Sequence, residues 1–228
     1  GIPESTLAER MGEIESDVAP LSLAYLPGLD GVDLRLTAWN LPPAEADGLL
    51  RPAADLLRAR AGEFVYGEGD ADLAALVLEE ARSRRLHIAT AESCTGGLVG
   101  ERLTETAGSS DVFVGGVVCY DNALKFSLLG VPPELIQSEG AVSEAVARAM
   151  AAGAIERLGV DLAVSVTGIA GPGGGSEEKP VGTVWIGLAH GGEVTARRSR
   201  FPGDRHDIRR RAAQAALFMM LGRLRSLS

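Results

Sequence analysis

Leu86-His-Ile-Ala-Thr-Ala91 runs into Glu92-Ser-Cys-Thr-Gly-Gly97, and this junction decides the fold class. A short, largely apolar run ending on small, hydroxylated and glycine residues reads as a strand that turns directly into a helix, here Gly96–Thr106. The same alternation continues on both sides. A helix is predicted over Asp72–Arg85 before it; a strand at Val112–Tyr120 and a short helix at Asn122–Leu129 follow. Ser143–Leu158 is a longer helix with Ser143 as its cap and Gly159 as its stop. Leu162–Thr167 is an apolar strand, Val181–Ala189 and Val194–Phe201 pair across His190-Gly-Gly192, and Arg205–Leu224 is the closing helix. Strands alternating with helices and then a late β-β pair predict an α/β fold, a three-layer α/β/α sandwich with a mixed sheet, over residues 70–228.

Residues 1–69 read differently. A short amphipathic helix over 4–16 precedes strands Leu21–Leu26 and Val32–Trp39, which flank the turn cluster Pro27-Gly-Leu-Asp-Gly31. Periodic Leu49, Leu50, Ala53, Leu56 and Leu57 make Ala44–Ala61 a helix that Gly62 stops, and Glu63–Tyr66 is expected to be a last short strand. The result is a small α+β domain of order α-β-β-α-β. It carries no catalytic constellation.

Twenty arginines stand against two lysines, Lys125 and Lys179, in a 228-residue chain. Arginine does not give up its proton in a protein, whereas a buried lysine amine becomes neutral and accepts one. The lysines are therefore the first candidates for chemistry, against the plainer reading of two surface leftovers. The formal net charge of −9 is concentrated in residues 1–70, which hold 5 arginines against 13 acidic residues. That balance disfavours general nucleic-acid binding, which needs a basic face. Arg205, Arg209, Arg210 and Arg211 form the local exception, either a solvated helix face or a seat for a small anion. Cys94 and Cys119 read as reduced thiols of a cytoplasmic protein, and no apolar run is long enough to span a membrane. The opening Gly1-Ile-Pro reads as a start inside a longer protein.

Three stretches concentrate hydroxyls, lysines and glycines. Ser93-Cys-Thr-Gly-Gly97 lies where backbone N–H groups and a helix dipole favour an oxyanion or phosphate, although a simple helix cap explains one of its hydroxyls. Tyr120-Asp-Asn-Ala-Leu-Lys125 leaves a strand at the same sheet edge, so Lys125 is expected to face Ser93 with Tyr120 and Asn122 beside it. Gly168-Ile-Ala-Gly-Pro-Gly-Gly-Gly-Ser-Glu-Glu-Lys-Pro180 either wraps a ligand with backbone donors or is a mobile loop. Neither the Gly-x-Ser-x-Gly elbow nor the phosphate loop ending in Gly-Lys-Ser/Thr is present. His87, His190 and His206 adjoin no hydroxyl motif and read as structural, which points to lysine as the base in a Ser-Lys arrangement. No Cys/His spacing supplies a zinc ligand set, so no metal is expected. No cofactor is expected either.

Together, Ala91-Glu-Ser-Cys-Thr-Gly-Gly97, Gly140-Ala-Val-Ser143, Gly168-Ile-Ala-Gly-Pro172, Gly174-Gly-Ser-Glu-Glu-Lys-Pro-Val-Gly-Thr-Val-Trp185 and Phe201-Pro-Gly-Asp-Arg205 resemble the C-terminal domain of the competence/damage-inducible protein CinA and its stand-alone relatives, the nicotinamide-nucleotide amidases. The resemblance covers roughly residues 70–225, and residues 1–69 resemble the small KH-like linker domain that precedes it. It implies hydrolysis of the carboxamide of nicotinamide mononucleotide to nicotinate mononucleotide and ammonia. Ser93 is then the nucleophile, with Lys125 and Tyr120 around it. Backbone donors near Thr95, Gly96 and Gly97 or in the glycine loop hold the oxyanion, and Arg205 or Arg209 meets the phosphate. Asn122, Thr167, Gly168, Gly171, Gly174, Gly175 and Lys179 complete the expected substrate-binding set. A homodimer is expected. The family's upstream molybdopterin-biosynthesis-like domain is not represented in the sequence, so its nucleotide pyrophosphatase activity is not implied. Two other functions stay open: a nucleotide-binding module without turnover, and a Ser-Lys hydrolase of another nucleotide or sugar phosphate.

Overall fold

A computed structural model describes residues 4–29 and 31–227, divided into two compact units, one ending at Tyr66 and one beginning at Gly67. Gly1–Pro3 and Asp30 of the expected turn cluster lie outside the described residues.

In the first unit the helix expected over 4–16 is two helices, α1 (Glu4–Met11) and α2 (Ile14–Asp17). Gly12 separates them with φ of +57°, the left-handed conformation that ends a helix at little cost for glycine alone. Strands β1 (Ser22–Pro27) and β2 (Val32–Thr37) form an antiparallel pair. Helix α3 (Pro43–Ala61) buries Ala53, Leu57 and Ala61 against Leu7, Met11, Ile14 and Val18. The strand expected at Glu63–Tyr66 does not form. Gly62–Phe64 is instead a single 3₁₀ turn, because the Val65 N–H bonds back to the Gly62 carbonyl at 3.1 Å rather than to a neighbouring strand. The Arg10 guanidinium covers the Phe64 ring at 4.9 Å.

The second unit runs α4 (Leu73–Arg84), β3 (Ile88–Glu92), α5 (Leu98–Thr104), β4 (Phe113–Val118), α6 (Asn122–Leu129), α7 (Pro133–Glu139), α8 (Glu144–Leu158), β5 (Leu162–Gly168), β6 (Thr183–His190), β7 (Glu193–Arg200) and α9 (Arg205–Ser226). The strands form one mixed sheet in the order β4-β3-β5-β6-β7. β3 pairs parallel with both β4 and β5, and the β5-β6 and β6-β7 pairs are antiparallel.

Side-chain alternation along the central strands sorts the layers. Ala89, Ala91 and Ala163 pack with Val146, Met150 and Ala154 of α8. Their neighbours Thr90 and Glu92 turn the other way, toward α5, on the side where α9 packs beside α4 and α5. Helix ends are capped where the sequence has the chemistry for it. Asp72, Asp121 and Ser143 each accept a backbone N–H at the start of their helices, and Asp204 forms a capping box with Asp207; such caps contribute about 1 kcal/mol each. Helices α6 and α8 meet almost backbone to backbone: a Cβ on Gly153 would lie 1.9 Å from the Leu129 carbonyl oxygen.

Candidate active site

Glu92 is level with Val118 on one side and Val166 on the other. Ser93 and Cys119-Tyr120 therefore leave the sheet together beside Thr167 and Gly168, the last two residues of β5, which stay paired with Trp185 and Val184 of β6; this is the carboxyl end of the three parallel strands, the usual place for a site in such a sheet. Helix α6 then folds back so that Lys125 and Leu129, one turn apart, are its only two buried side chains. Lys125 is 1% exposed and Ser93 9%. The Lys125 Nζ lies 3.2 Å from Ser93 Oγ, 3.0 Å from the Cys119 carbonyl oxygen and 3.4 Å from the Tyr120 carbonyl oxygen.

These three neighbours fix the chemistry of the amine. Burial lowers the Lys125 pKa from its ordinary value, against nearby groups that favour the charged form. Carbonyl oxygens only accept, so a neutral amine gives its two hydrogens to Cys119 and Tyr120 and leaves its lone pair for the Ser93 hydroxyl. That is the arrangement of a base poised on a nucleophile. The adjacent Cys94 is the opposite case, since burial pushes its thiol up to about 12. It is a protonated thiol at neutral pH, without the thiolate that makes cysteine reactive.

Glu92 is the member of the site that sequence reasoning missed. It is 1% exposed, and its carboxylate accepts the N–H groups of Gly97 and Gly100 at 2.9 Å and of Val99 at 3.1 Å, with the Thr90 hydroxyl at 3.3 Å. The Leu98 N–H bonds to the Thr95 carbonyl, so the first turn of α5 is fully satisfied from within. The signal that would have found it is an acidic residue ending a strand just before a turn into a helix, where a carboxylate meets free N–H groups. Of the donors expected around Thr95–Gly97, Gly97 gives its N–H to Glu92 and Gly96 gives its own to Ser93 O at 3.0 Å. Thr95 is fully buried, and its hydroxyl has no hydrogen-bond partner among the described residues.

The remaining expected residues divide between the site and its frame. Tyr120 is 58% exposed, and its phenol oxygen accepts from Arg205 Nη2 at 2.8 Å, while Arg205 Nη1 donates to the Gly171 carbonyl at 2.8 Å. Arg205 thus joins the Tyr120 segment, the glycine loop and the start of α9. Arg209 Nε and Nη2 donate to the carbonyls of Cys94 at 3.2 Å and Thr95 at 2.7 Å. Gly171, Val181, Asp204, Arg205, His206 and Arg209 line an open cleft of about 560 Å³ that includes neither Ser93 nor Lys125 in its walls and reaches their turn through Arg209. Gly168 is held against Cys94: a Cβ there would lie 3.0 Å from its sulfur. Gly174 and Gly175 lie where the loop turns back, Gly175 approaching the Val181 backbone. Thr167 Oγ1 donates to Ala141 O at 2.8 Å, and Lys179 Nζ donates to Glu139 O at 2.8 Å. These two bonds tie β5 and the glycine loop to the α7-α8 connection. Asn122 is exposed at the first position of α6. His87 lies beside Asp161 and His190 beside Arg223, and only His206 reaches the cavity. Among the described residues, no group of His, Cys, Asp and Glu is arranged to hold a metal ion, and no helix is long and apolar enough to cross a membrane.

A three-layer α/β sandwich that buries a serine-lysine pair at the carboxyl ends of its parallel strands defines the class of this domain. The family is given by comparison. The family model described as CinA C-terminal domain matches residues 70–224, and that described as damage-inducible protein CinA KH domain matches residues 1–67. The chain belongs to the CinA family. It is 56% identical over 216 residues to a CinA-like protein of Gemmatimonas aurantiaca and 45% identical over 233 residues to one of Chlorobaculum tepidum, covering 95% and 100% of this chain but 50% and 55% of those proteins. It thus spans about half the length of these curated relatives. Among solved structures, the competence/damage inducible protein CihA of Agrobacterium tumefaciens is 41% identical with a TM-score of 0.65, covering 71% of this chain and 100% of its own. A CinA superfamily protein of Escherichia coli is 32% identical with a TM-score of 0.61, covering 71% and 97%.

Proposed function

We propose that residues 70–228 hydrolyse the carboxamide of nicotinamide mononucleotide to nicotinate mononucleotide and ammonia through a Ser-Lys site. The observation that carries this reading is the buried Lys125 Nζ 3.2 Å from Ser93 Oγ, with two carbonyls orienting the amine. Ser93 Oγ attacks the amide carbon while its proton passes to Lys125. The tetrahedral intermediate collapses as Lys125 protonates the departing nitrogen, and ammonia leaves behind an acyl-enzyme. Water, deprotonated by the same amine, attacks the acyl carbon, and Ser93 departs with the proton. The protein does this without a metal or cofactor. Arg205 is presented to the cavity beside His206 and meets the 5′-phosphate, while Tyr120 holds Arg205 in place through its phenol.

Ammonia release from a panel of pyridine mononucleotides, dinucleotides and nucleosides, with a chelator present, tests the reading. Release from nicotinamide mononucleotide alone is expected. Tight binding without ammonia would favour a nucleotide-binding module, and release from a different amide would assign another substrate to the same pair. The protein is proposed to act in the cytoplasm and as a homodimer. The dimer is assigned to the exposed apolar side chains of edge strand β4 and helix α6, which are Val114, Val118, Leu124, Phe126 and Leu128, because an open edge beside such a patch favours a partner. A monomeric mass in solution would refute it.

A further inference from the structure

The turn that carries Ser93 is held from two directions by residues that the proposed chemistry does not use. From the sheet side, Glu92 binds the N–H groups of Gly97, Val99 and Gly100. From α9, Arg209 binds the carbonyls of Cys94 and Thr95. Both charged groups act on main-chain atoms, and all five of these bonds are charge-assisted and directional. The guanidinium suits this use, because its planar fork reaches two successive carbonyls from one position. Space around it is tight as well: a Cβ on Gly96 would come 3.3 Å from Arg209 Nη2.

The two clamps also settle which donors remain. Ser93 gives its N–H to Val166 O, and Gly96 gives its own to Ser93 O. With Gly97, Leu98, Val99 and Gly100 also satisfied, only the N–H groups of Cys94 and Thr95 in this turn donate to no other residue among those described. The N–H that follows a nucleophile is a recurrent oxyanion donor on other folds. We infer that Glu92 and Arg209 are positioning residues for Ser93, fixing its turn so that the Cys94 and Thr95 N–H groups are left to receive the oxyanion. The inference rests on Ser93 being the nucleophile. It also separates the two arginines at the cavity: Arg205 meets substrate, and Arg209 acts through the turn.

The test uses the full 228-residue chain and a small neutral fluorophosphonate, which has neither a pyridine nor a phosphate monoester to anchor it. In labelling, Ser93 Oγ forms a bond to phosphorus, fluoride leaves with the P–F electron pair, and the hydroxyl proton passes to Lys125. Glu92→Gln and Arg209→Lys should label roughly 10²-fold more slowly, the scale for displacing a reacting group by about 1 Å. Their kcat on nicotinamide mononucleotide should fall in parallel, while KM stays within about threefold, and circular dichroism should show both variants folded. Wild-type labelling by Arg209→Lys together with a raised KM would make Arg209 a substrate anchor and overturn the assignment. Wild-type labelling by Glu92→Gln would reduce Glu92 to a helix cap. Should Glu92→Gln not fold, Glu92→Asp, whose shorter carboxylate cannot reach all three N–H groups, is read in the same way. A wild-type protein that labels at Ser93 but releases no ammonia would refute the amide substrate and leave this inference standing. Failure of the wild type to label would overturn the inference.

Discussion

Replacing Lys125 with arginine keeps the positive charge and removes the basic lone pair that stands next to Ser93. The amine is 1% exposed and stands 3.0 and 3.4 Å from two carbonyl oxygens that can only accept. In its neutral form its third direction, 3.2 Å from Ser93 Oγ, is therefore an acceptor. A guanidinium has five donors and no acceptor, and it does not deprotonate at any working pH. Loss of a positioned base lowers the rate by about 10²–10⁴-fold, so Lys125→Arg and Lys125→Met should both fall about 10³-fold in kcat/KM, measured by ammonia release. The wild-type rate should rise with pH through the depressed lysine pKa, and this limb should vanish in both variants. Stability supplies a second readout. Burial holds the folded pKa below the unfolded one, so between the two values the unfolded chain binds more protons and wild-type stability rises with pH. Below the folded pKa the cost of a buried ammonium is fully present, and Lys125→Met does not carry it. The thermal midpoint of Lys125→Met relative to wild type should therefore decline as pH increases through that window. Near wild-type turnover by Lys125→Arg would refute the reasoning and leave Lys125 an electrostatic contact, with the base to be sought at Tyr120 or a bound water.

Ser93→Ala should lose at least about 10³-fold in turnover, the scale for removing a nucleophile, whereas Cys94→Ala, whose thiol is pushed up to about 12, should keep most of it; the reverse ranking would move the chemistry to sulfur. Lys179→Arg should retain turnover with a raised KM, since Lys179 ties the glycine loop to Glu139 O and has no bond to Ser93 or Lys125; steady-state kinetics decide. Two helical glycines should respond with opposite sign in denaturant titrations. Gly222→Ala in α9, with nothing within 4 Å of the new methyl, should stabilise by about 0.5–1 kcal/mol. Gly153→Ala gains the same propensity but drives its methyl to 1.9 Å from Leu129 O, so overpacking of about 1–3 kcal/mol or more should win.

Elements were readable from sequence where local chemistry and packing agree. Asn122–Leu129 emerged with its observed bounds because Asp121 caps it and Gly130, at φ of +69°, stops it. Ser143 and Gly159 did the same for α8. Helix α7 is not among the elements expected from sequence; it opens on Pro133, and a proline is favourable at the first helical position. At Glu63–Tyr66 the β-prone Phe64, Val65 and Tyr66 are overruled by a local turn, in which the Val65 N–H bonds back to the Gly62 carbonyl. The meeting of Ser93 with Lys125 followed from strand order, since both lie beyond the carboxyl ends of neighbouring parallel strands. The contact between Arg209 and residues 114 and 115 positions earlier has no local signature. Neither has the burial of Glu92, whose partners only converge once α5 has formed.

The bonds from Arg209 to the Ser93 turn join segments far apart in the chain, and that separation bears on when the site is completed during folding. Ser93 and Lys125 lie 32 residues apart, whereas the guanidinium comes from the last described helix, more than a hundred residues downstream. Contacts that close so long a loop form late, after the chain entropy of the intervening elements has been lost. In any state with the sheet in place and α9 undocked, the serine and the lysine would both be present with their turn held from Glu92 alone. Competence for chemistry therefore arrives with the final docking of a helix whose length is otherwise given to the core, and a kinetic measurement of refolding should see the Ser93 hydroxyl become reactive with the slowest structural phase.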